Sequence, residues 1–135
     1  MFSTGPAPDT APPTVSGVFA DPNPVPFNGV VTLGATADDS ATGNSAIASA
    51  EYNVDGGSYA AMAADDGIFD TATEVVTATL PGFTGAGVYD VCVRGTDELG
   101  SISIPANDPG NACTLVVVYD PSAGFVTGGG WIYSA

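Results

Sequence analysis

The sequence predicts an all-β sandwich of about seven antiparallel strands. Two observations favour this class. Short apolar or alternating runs recur along the chain, and clusters of Gly, Pro, Asn and Asp, which are turn-forming residues, separate them. Within several runs, apolar and polar residues alternate with the period of two that a half-buried strand requires, as at Val31, Leu33 and Ala35 against Thr32 and Thr36. No comparable stretch shows helical periodicity, so we predict no long helix.

The strands are assigned in chain order to the apolar runs 15–20, 29–37, 46–55, 59–63, 74–80, 87–96 and 113–120. Between the third and fourth runs, Asp55–Gly56 or Gly56–Gly57 supplies the positive φ angles of a tight primed turn, which predicts a hairpin. Residues 1–14 are rich in proline and predict an extended arm or linker. The domain then covers 15–120, and the Gly-rich segment 121–135 is expected to be a further strand or a connector.

The charge balance excludes two classes of partner. Arg94 is the single basic residue, whereas Asp and Glu number 15, which gives a formal net charge of −14. Nucleic acids and anionic membranes require basic surfaces, so neither is an expected partner. The sequence also lacks an apolar segment of about 20 residues, so no membrane insertion is predicted. A chain with this negative charge attracts cations or a basic protein surface. The alternative is that the negative charge only keeps the protein soluble.

The residue types present do not predict an enzyme. Because the chain has no histidine and no lysine, Ser-His-Asp, Cys-His and Ser-Lys arrangements are impossible. The adjacent pairs Asp38–Asp39 and Asp65–Asp66 are poor candidates for an acid and base pair, because neighbours on an extended chain point to opposite faces.

The two cysteines predict a disulfide and a compartment. Cys92 lies in the middle of one predicted strand and Cys113 opens the next, as adjacent antiparallel partners would. A single disulfide in a chain rich in Ser, Thr, Gly and Pro favours an extracellular or cell-surface location.

Calcium is the metal that the acidic loops favour. Hard cations prefer carboxylate and carbonyl oxygens, and the loops 37–45 and 64–70 combine Asp with Gly, Asn and hydroxyl residues. Their spacing does not match the EF-hand pattern. The alternative is that each Asp caps a turn through its own backbone. The candidate calcium ligands are Asp38, Asp39, Asp65, Asp66, Asp70 and Asp97.

The stretch "LPGFTGAGVYDVCVRGTDELGS", 80–101, resembles a corner of fibronectin type III and related immunoglobulin-like domains. The likeness rests on Leu80, Pro81, Gly82, Tyr89, Val91, Val93, Asp97 and Gly100. It implies an immunoglobulin-like sandwich in which the Tyr89 ring enters the core and its hydroxyl bonds to a backbone group near the corner. The loop between Pro81 and Tyr89 is longer than usual, and the cysteines do not bridge opposite sheets.

A wider likeness, over about 14–120, is to immunoglobulin-like modules of large secreted bacterial or archaeal surface proteins. It implies this fold and a cell-surface compartment, while the strand-like C-terminal segment and the Pro-rich N-terminal arm favour a non-catalytic structural role. We expect a subunit or module of an extracellular filament or surface assembly, joined to copies of itself or to neighbouring domains through its terminal strands. The alternative is a monomeric spacer, adhesion or carbohydrate-binding module, with Phe27, Phe83 or the terminal aromatics as contacts. The expected assembly residues are Phe2, Phe125, Val126, Trp131, Ile132 and Tyr133.

Overall fold

The computed structural model describes residues 11–105 and 109–121, and these form an all-β fold. The strands are β1 (Thr14–Asp21), β2 (Val25–Pro26), β3 (Val31–Asp38), β4 (Ile47–Val54), β5 (Ala60–Ala64), β6 (Thr73–Leu80), β7 (Gly87–Asp97) and β8 (Cys113–Tyr119). In the described part of the chain, the one helix is the four-residue α1 (Pro109–Ala112).

The strands form one mixed, curled sheet in the order β1-β3-β6-β5-β4-β7-β8-β2, a half-barrel. β5 joins the two halves, because Ala63 and Ala64 pair with β6 while its earlier residues pair with β4. The curl brings strands from the two halves face to face. A Cβ atom added at Gly95 of β7 would lie 3.1 Å from the Cβ of Ala37 of β3.

The core fills the inside of this curl. Its largest fully buried side chains come from both halves of the sheet, and they include Leu33, Leu80, Val91, Val93 and Val116. The alternation read from the sequence is therefore confirmed in β3 and, from Val91 onward, in β7, where every second residue is buried. Burial of these branched side chains is the main stabilising contribution to the fold.

Two local predictions are confirmed. Asp55 and Gly56 have φ angles of 51° and 74°, and the N–H of Gly57 donates to the carbonyl of Val54, as in a primed hairpin turn. The Tyr89 hydroxyl donates to the carbonyl of Gly85 at 2.6 Å, and its half-buried ring packs against the core. The hydrogen bond from Tyr89 to Gly85 ties the loop before β7 to β7 itself.

The number and direction of the strands differ from the sequence prediction. Eight strands are present rather than about seven, and β2 pairs with β8 in parallel, through Val25 opposite Val118 and Pro26 opposite Tyr119. The sequence prediction assigned this segment to a loop because it is rich in proline, which cannot donate to a ladder. An edge position tolerates that defect, since only one side of the strand is paired.

The sheet has two ends, which we call the acidic pole and the opposite pole. At the acidic pole Asp38 pairs with Thr73, and Ile47 pairs with Asp97. These pairs adjoin each other, because the N–H of Ile47 donates to the carbonyl of Thr71. At the opposite pole Val31 pairs with Leu80, and Gly87 pairs with Val118.

Candidate functional site

Three carboxylates converge at the acidic pole, in the β5–β6 loop and the start of β6. Oxygens of Asp66, Asp70 and Glu74 all lie within 4.8 Å of one another. Asp66 and Asp70 are exposed, whereas Glu74 is buried as the second residue of β6. The cluster borders a cleft of about 220 Å³ that is also lined by Thr71 and Thr73.

Glu74 organises the loop that precedes it. Its Oε2 accepts from the backbone N–H of Asp70 at 2.8 Å, from the N–H of Thr71 at 2.9 Å and from the Thr71 hydroxyl at 3.0 Å. Because these donors stabilise the carboxylate, beginning with the Asp70 N–H, they hold the pKa of Glu74 below its ordinary value. Hydrogen bonds to the charged carboxylate of Glu74 therefore hold the β5–β6 loop against the start of β6.

Asp70 experiences the opposite effect. Desolvation, followed by the charges of Glu74 and Asp66, raises the pKa of Asp70 above its ordinary value. Crowding of like charges is relieved by a proton or by a cation, and carboxylates at this spacing are suitable ligands for a hard cation. The sequence prediction included Asp66 and Asp70 but not Glu74, because the run that starts with Glu74 was assigned to a strand.

Asp38 and Asp39 are not brought into this cluster. Asp38 Oδ1 accepts from Ser40 N at 2.8 Å and from the Thr73 hydroxyl at 3.0 Å, and these bonds, with Ser40 first, lower the pKa of Asp38. Asp39 is fully buried, and its carboxylate accepts from the Thr42 hydroxyl and from Ser45 N. Both residues cap the turn after β3, which is the alternative that the sequence left open.

Asp65 lines the same cleft but is not one of the three converging carboxylates, and Asp97 is not part of the cluster either. The N–H of Asp65 donates to the carbonyl of Val75 where β5 ends. Asp97 is buried, and its Oδ1 accepts from Leu99 N at 3.0 Å and Ser101 N at 2.9 Å. Its Oδ2 has no hydrogen-bond partner among the described residues. Of the six predicted calcium ligands, the structure thus unites Asp66 and Asp70.

The predicted disulfide is present. Cys92 of β7 and Cys113 of β8 lie directly opposite each other and are bonded, with their Cα atoms 4.0 Å apart. The disulfide closes the long connection between β7 and β8, which contains α1. It therefore holds the start of β8 beside β7. It is a cross-strand link within one half of the sheet, as the sequence prediction required.

The single basic residue is already engaged. The Arg94 guanidinium forms an ion pair with Glu51 at 2.7 Å and stacks 3.6 Å from the centre of the Tyr59 ring. Glu51 and Arg94 lie opposite each other on β4 and β7, which explains the pairing. The remaining carboxylates therefore have no basic side chain of this chain to neutralise them.

The aromatic contacts predicted for a glycan are only partly placed. Phe27 and Phe83 are half-buried against the core, and Phe83 stacks on Tyr89 with ring centres 4.5 Å apart, so neither forms an exposed platform. The predicted assembly residues lie outside the described residues; they are Phe2, Phe125, Val126, Trp131, Ile132 and Tyr133.

Comparisons with known proteins add no relative. No protein-family model matches the chain, and no curated protein matches it in sequence. Among the described residues, no helix has the length and apolarity needed to cross a bilayer.

Proposed function

We propose that the chain is a non-catalytic structural module of an extracellular or cell-surface protein, with an immunoglobulin-like arrangement of strands. The pairing order supports the arrangement, because β1, β3 and β6 form one half and β4, β7 and β8 form the other. The hydroxyl bond of Tyr89 at the corner supports it further, and the disulfide supports the extracellular location.

The observation that carries the structural role is the position of β1 and β8, the first and last strands among the described residues. β1 begins at the acidic pole, where Thr14 pairs with Asp38. β8 ends at the opposite pole, where the carbonyl of Tyr119 accepts from Phe27 N. The described strands therefore begin at one end of the half-barrel and end at the other, which suits a unit placed in line with neighbours.

The sheet edges favour a spacer over a unit that pairs its edges with copies of itself. Asn23 covers the outer edge of β8: its Nδ2 donates to Leu115 O at 2.8 Å, and its Oδ1 accepts from Val117 N at 3.0 Å. At the other edge, β1 is interrupted by a bulge at Gly17, whose φ is 64°. Covered and bulged edges suppress strand addition.

Light scattering and negative-stain electron microscopy of the purified chain, at physiological salt with calcium, test this proposal. We expect monodisperse monomers. Regular fibres that disappear when residues 124–135 are deleted would contradict the spacer proposal. They would support a filament subunit joined to its neighbours through the C-terminal segment. A variant with the deletion that still forms fibres would locate the contacts on the sheet itself.

Calcium binding at Asp66, Asp70 and Glu74 is a second candidate function, favoured by their convergence within 4.8 Å. Isothermal titration of the chain with Ca²⁺ tests it, using Asp66→Asn as the disrupting variant and Asp21→Asn as the charge-matched control. We expect Asp66→Asn alone to abolish the heat of binding. Equal heats in both variants would show diffuse association with the acidic surface.

A further inference from the structure

The outer face of the half-sheet formed by β1, β3 and β6 is a grid of small polar side chains with one aromatic ring. The residues that alternate with this face on β3 and β6, such as Leu33, Ala35 and Val76, are buried in the core. Strand pairing places two rows in the middle of the face, and they are Ser16–Thr36–Val75 and Phe19–Gly34–Thr77. The aromatic residue, Phe19, was not among the glycan contacts that the sequence predicted.

Phe19 reaches this face because of the bulge in β1. Between Ser16 and Phe19, two residues of β1 stand opposite one residue of β3. Strict alternation from the exposed Ser16 would turn Phe19 towards the core, and the extra residue turns it outwards instead. Val18 and Ala20 pack against the core, whereas Phe19 does not. The bulge therefore re-aims a large apolar side chain to the surface, a use of bulges that is common beside functional sites.

Gly34 provides the space that the ring occupies. A Cβ atom added at Gly34 would lie 2.5 Å from both Cε1 and Cζ of Phe19, so the ring extends over the backbone of this residue. Covering a glycine is a structural contribution of the ring. The Phe19 side chain is nonetheless 52% exposed. Because apolar surface in water is unfavourable, a ligand that covers the rest of the ring is favoured.

Hydroxyl groups surround the ring and are not used by the fold. Thr77 lies opposite Gly34 on β6, and Thr32 and Thr36 lie two residues to either side of Gly34 on β3. The hydroxyls of these three threonines make no hydrogen bond to another described residue. Each hydroxyl can both donate and accept a hydrogen bond. The two middle rows contain no charged residue, although Asp and Glu number 15 in the chain.

We infer that this face binds a neutral glycan chain, with one sugar ring stacked on Phe19. The C–H groups on the face of a sugar ring suit the negative face of an aromatic ring. The hydroxyls of the sugar donate and accept, as the threonine hydroxyls around Phe19 do. The net charge of −14 disfavours an anionic ligand, and the two middle rows offer no carboxylate to a cationic one. A spacer and a glycan-binding face are compatible, and neither requires the other.

The test is an NMR titration of the full-length chain with cellohexaose and with mannohexaose, monitored at the amides of Gly34, Thr36 and Thr77. Hexagalacturonate, an anionic chain of the same length, is the matched probe. We expect saturable shifts with a neutral hexasaccharide that do not change as salt is raised, and no comparable shifts with hexagalacturonate. The absence of shifts with both neutral probes would overturn the inference.

Four variants sharpen the result. Phe19→Ala should weaken binding about tenfold, the effect of losing one stacking contact, whereas Phe19→Tyr keeps the ring and should bind as wild type does. Thr77→Val replaces one hydroxyl with a methyl group and should weaken binding about fivefold, a result that does not depend on the folding of the Phe19 variants. Leu115→Ala removes an exposed apolar side chain from the other half-sheet and should leave the affinity unchanged.

Two outcomes with the variants would overturn the inference. One is equal affinity of wild type, Phe19→Ala and Thr77→Val, and the other is equal weakening in Leu115→Ala. Shifts at the same amides that follow the protein concentration, with no dependence on the glycan, would also overturn it and would assign the face to a contact between two copies of the chain.

Discussion

Removal of the disulfide provides the most direct test of how the second half of the sheet is stabilised. Cys92 and Cys113 are separated by 21 residues, and in the unfolded chain the bond restricts the loop between them. The loop-closure relation for this length gives about 3 kcal/mol of stabilisation at 25 °C. We therefore expect Cys92→Ser/Cys113→Ser to lower the free energy of unfolding by about that amount.

Urea unfolding, followed by near-ultraviolet circular dichroism, measures the change. The wild-type chain should lose the same stability when a reductant is added, whereas the double variant should be indifferent to the reductant. A loss below about 1 kcal/mol would refute the reasoning, because it would mean that the loop is already restricted in the unfolded chain. If the double variant is less stable than wild type but the reductant does not destabilise wild type, the serine substitutions themselves disturb the packing around these positions.

Three further predictions concern single side chains. Gly82→Ala places a Cβ inside the backbone of the neighbouring loop and should cost about 1–3 kcal/mol in thermal unfolding, whereas Gly110→Ala, which meets no atom within 4 Å, should be neutral. Tyr89→Phe removes the hydroxyl bond at the corner and should cost about 0.5–1.5 kcal/mol, with Tyr52→Phe as the control. Because the pKa of Glu74 is lowered from 4.5, its stabilisation is present above that pH and is lost as the pH falls through the lowered value. Glu74→Gln should therefore be less stable than wild type near neutral pH, and urea midpoints should converge in acid; a constant difference would contradict the role of the charge.

The parts of the fold that the sequence predicts are those governed by local patterning. Alternation identified the buried faces of β3 and β7, and Asp55–Gly56 identified the hairpin turn, because both depend on neighbours in the chain. The partner of a strand depends on residues far away. The pairing of β2 with β8 was missed for that reason, since a two-residue strand in a proline-rich segment carries no periodic signal.

The candidate site shows the same division. Asp66 and Asp70 were predicted from their loop, but Glu74 was assigned to a strand, and its role depends on the loop folding back onto it. Asp39 was predicted as a ligand, yet burial and two hydrogen bonds use it as a turn cap.

The parallel pairing of β2 with β8 has a mechanical consequence. Both strands lie along the line that joins the two poles, so tension applied between the start of β1 and the end of β8 pulls them past each other. The bonds made by Asn23 to Leu115 and Val117, and by Phe27 to Tyr119, then bear the load together in shear. Bonds loaded in this way must break as a group, whereas those of a hairpin pulled from its open end break singly. A domain with this connection would resist extension at this short contact.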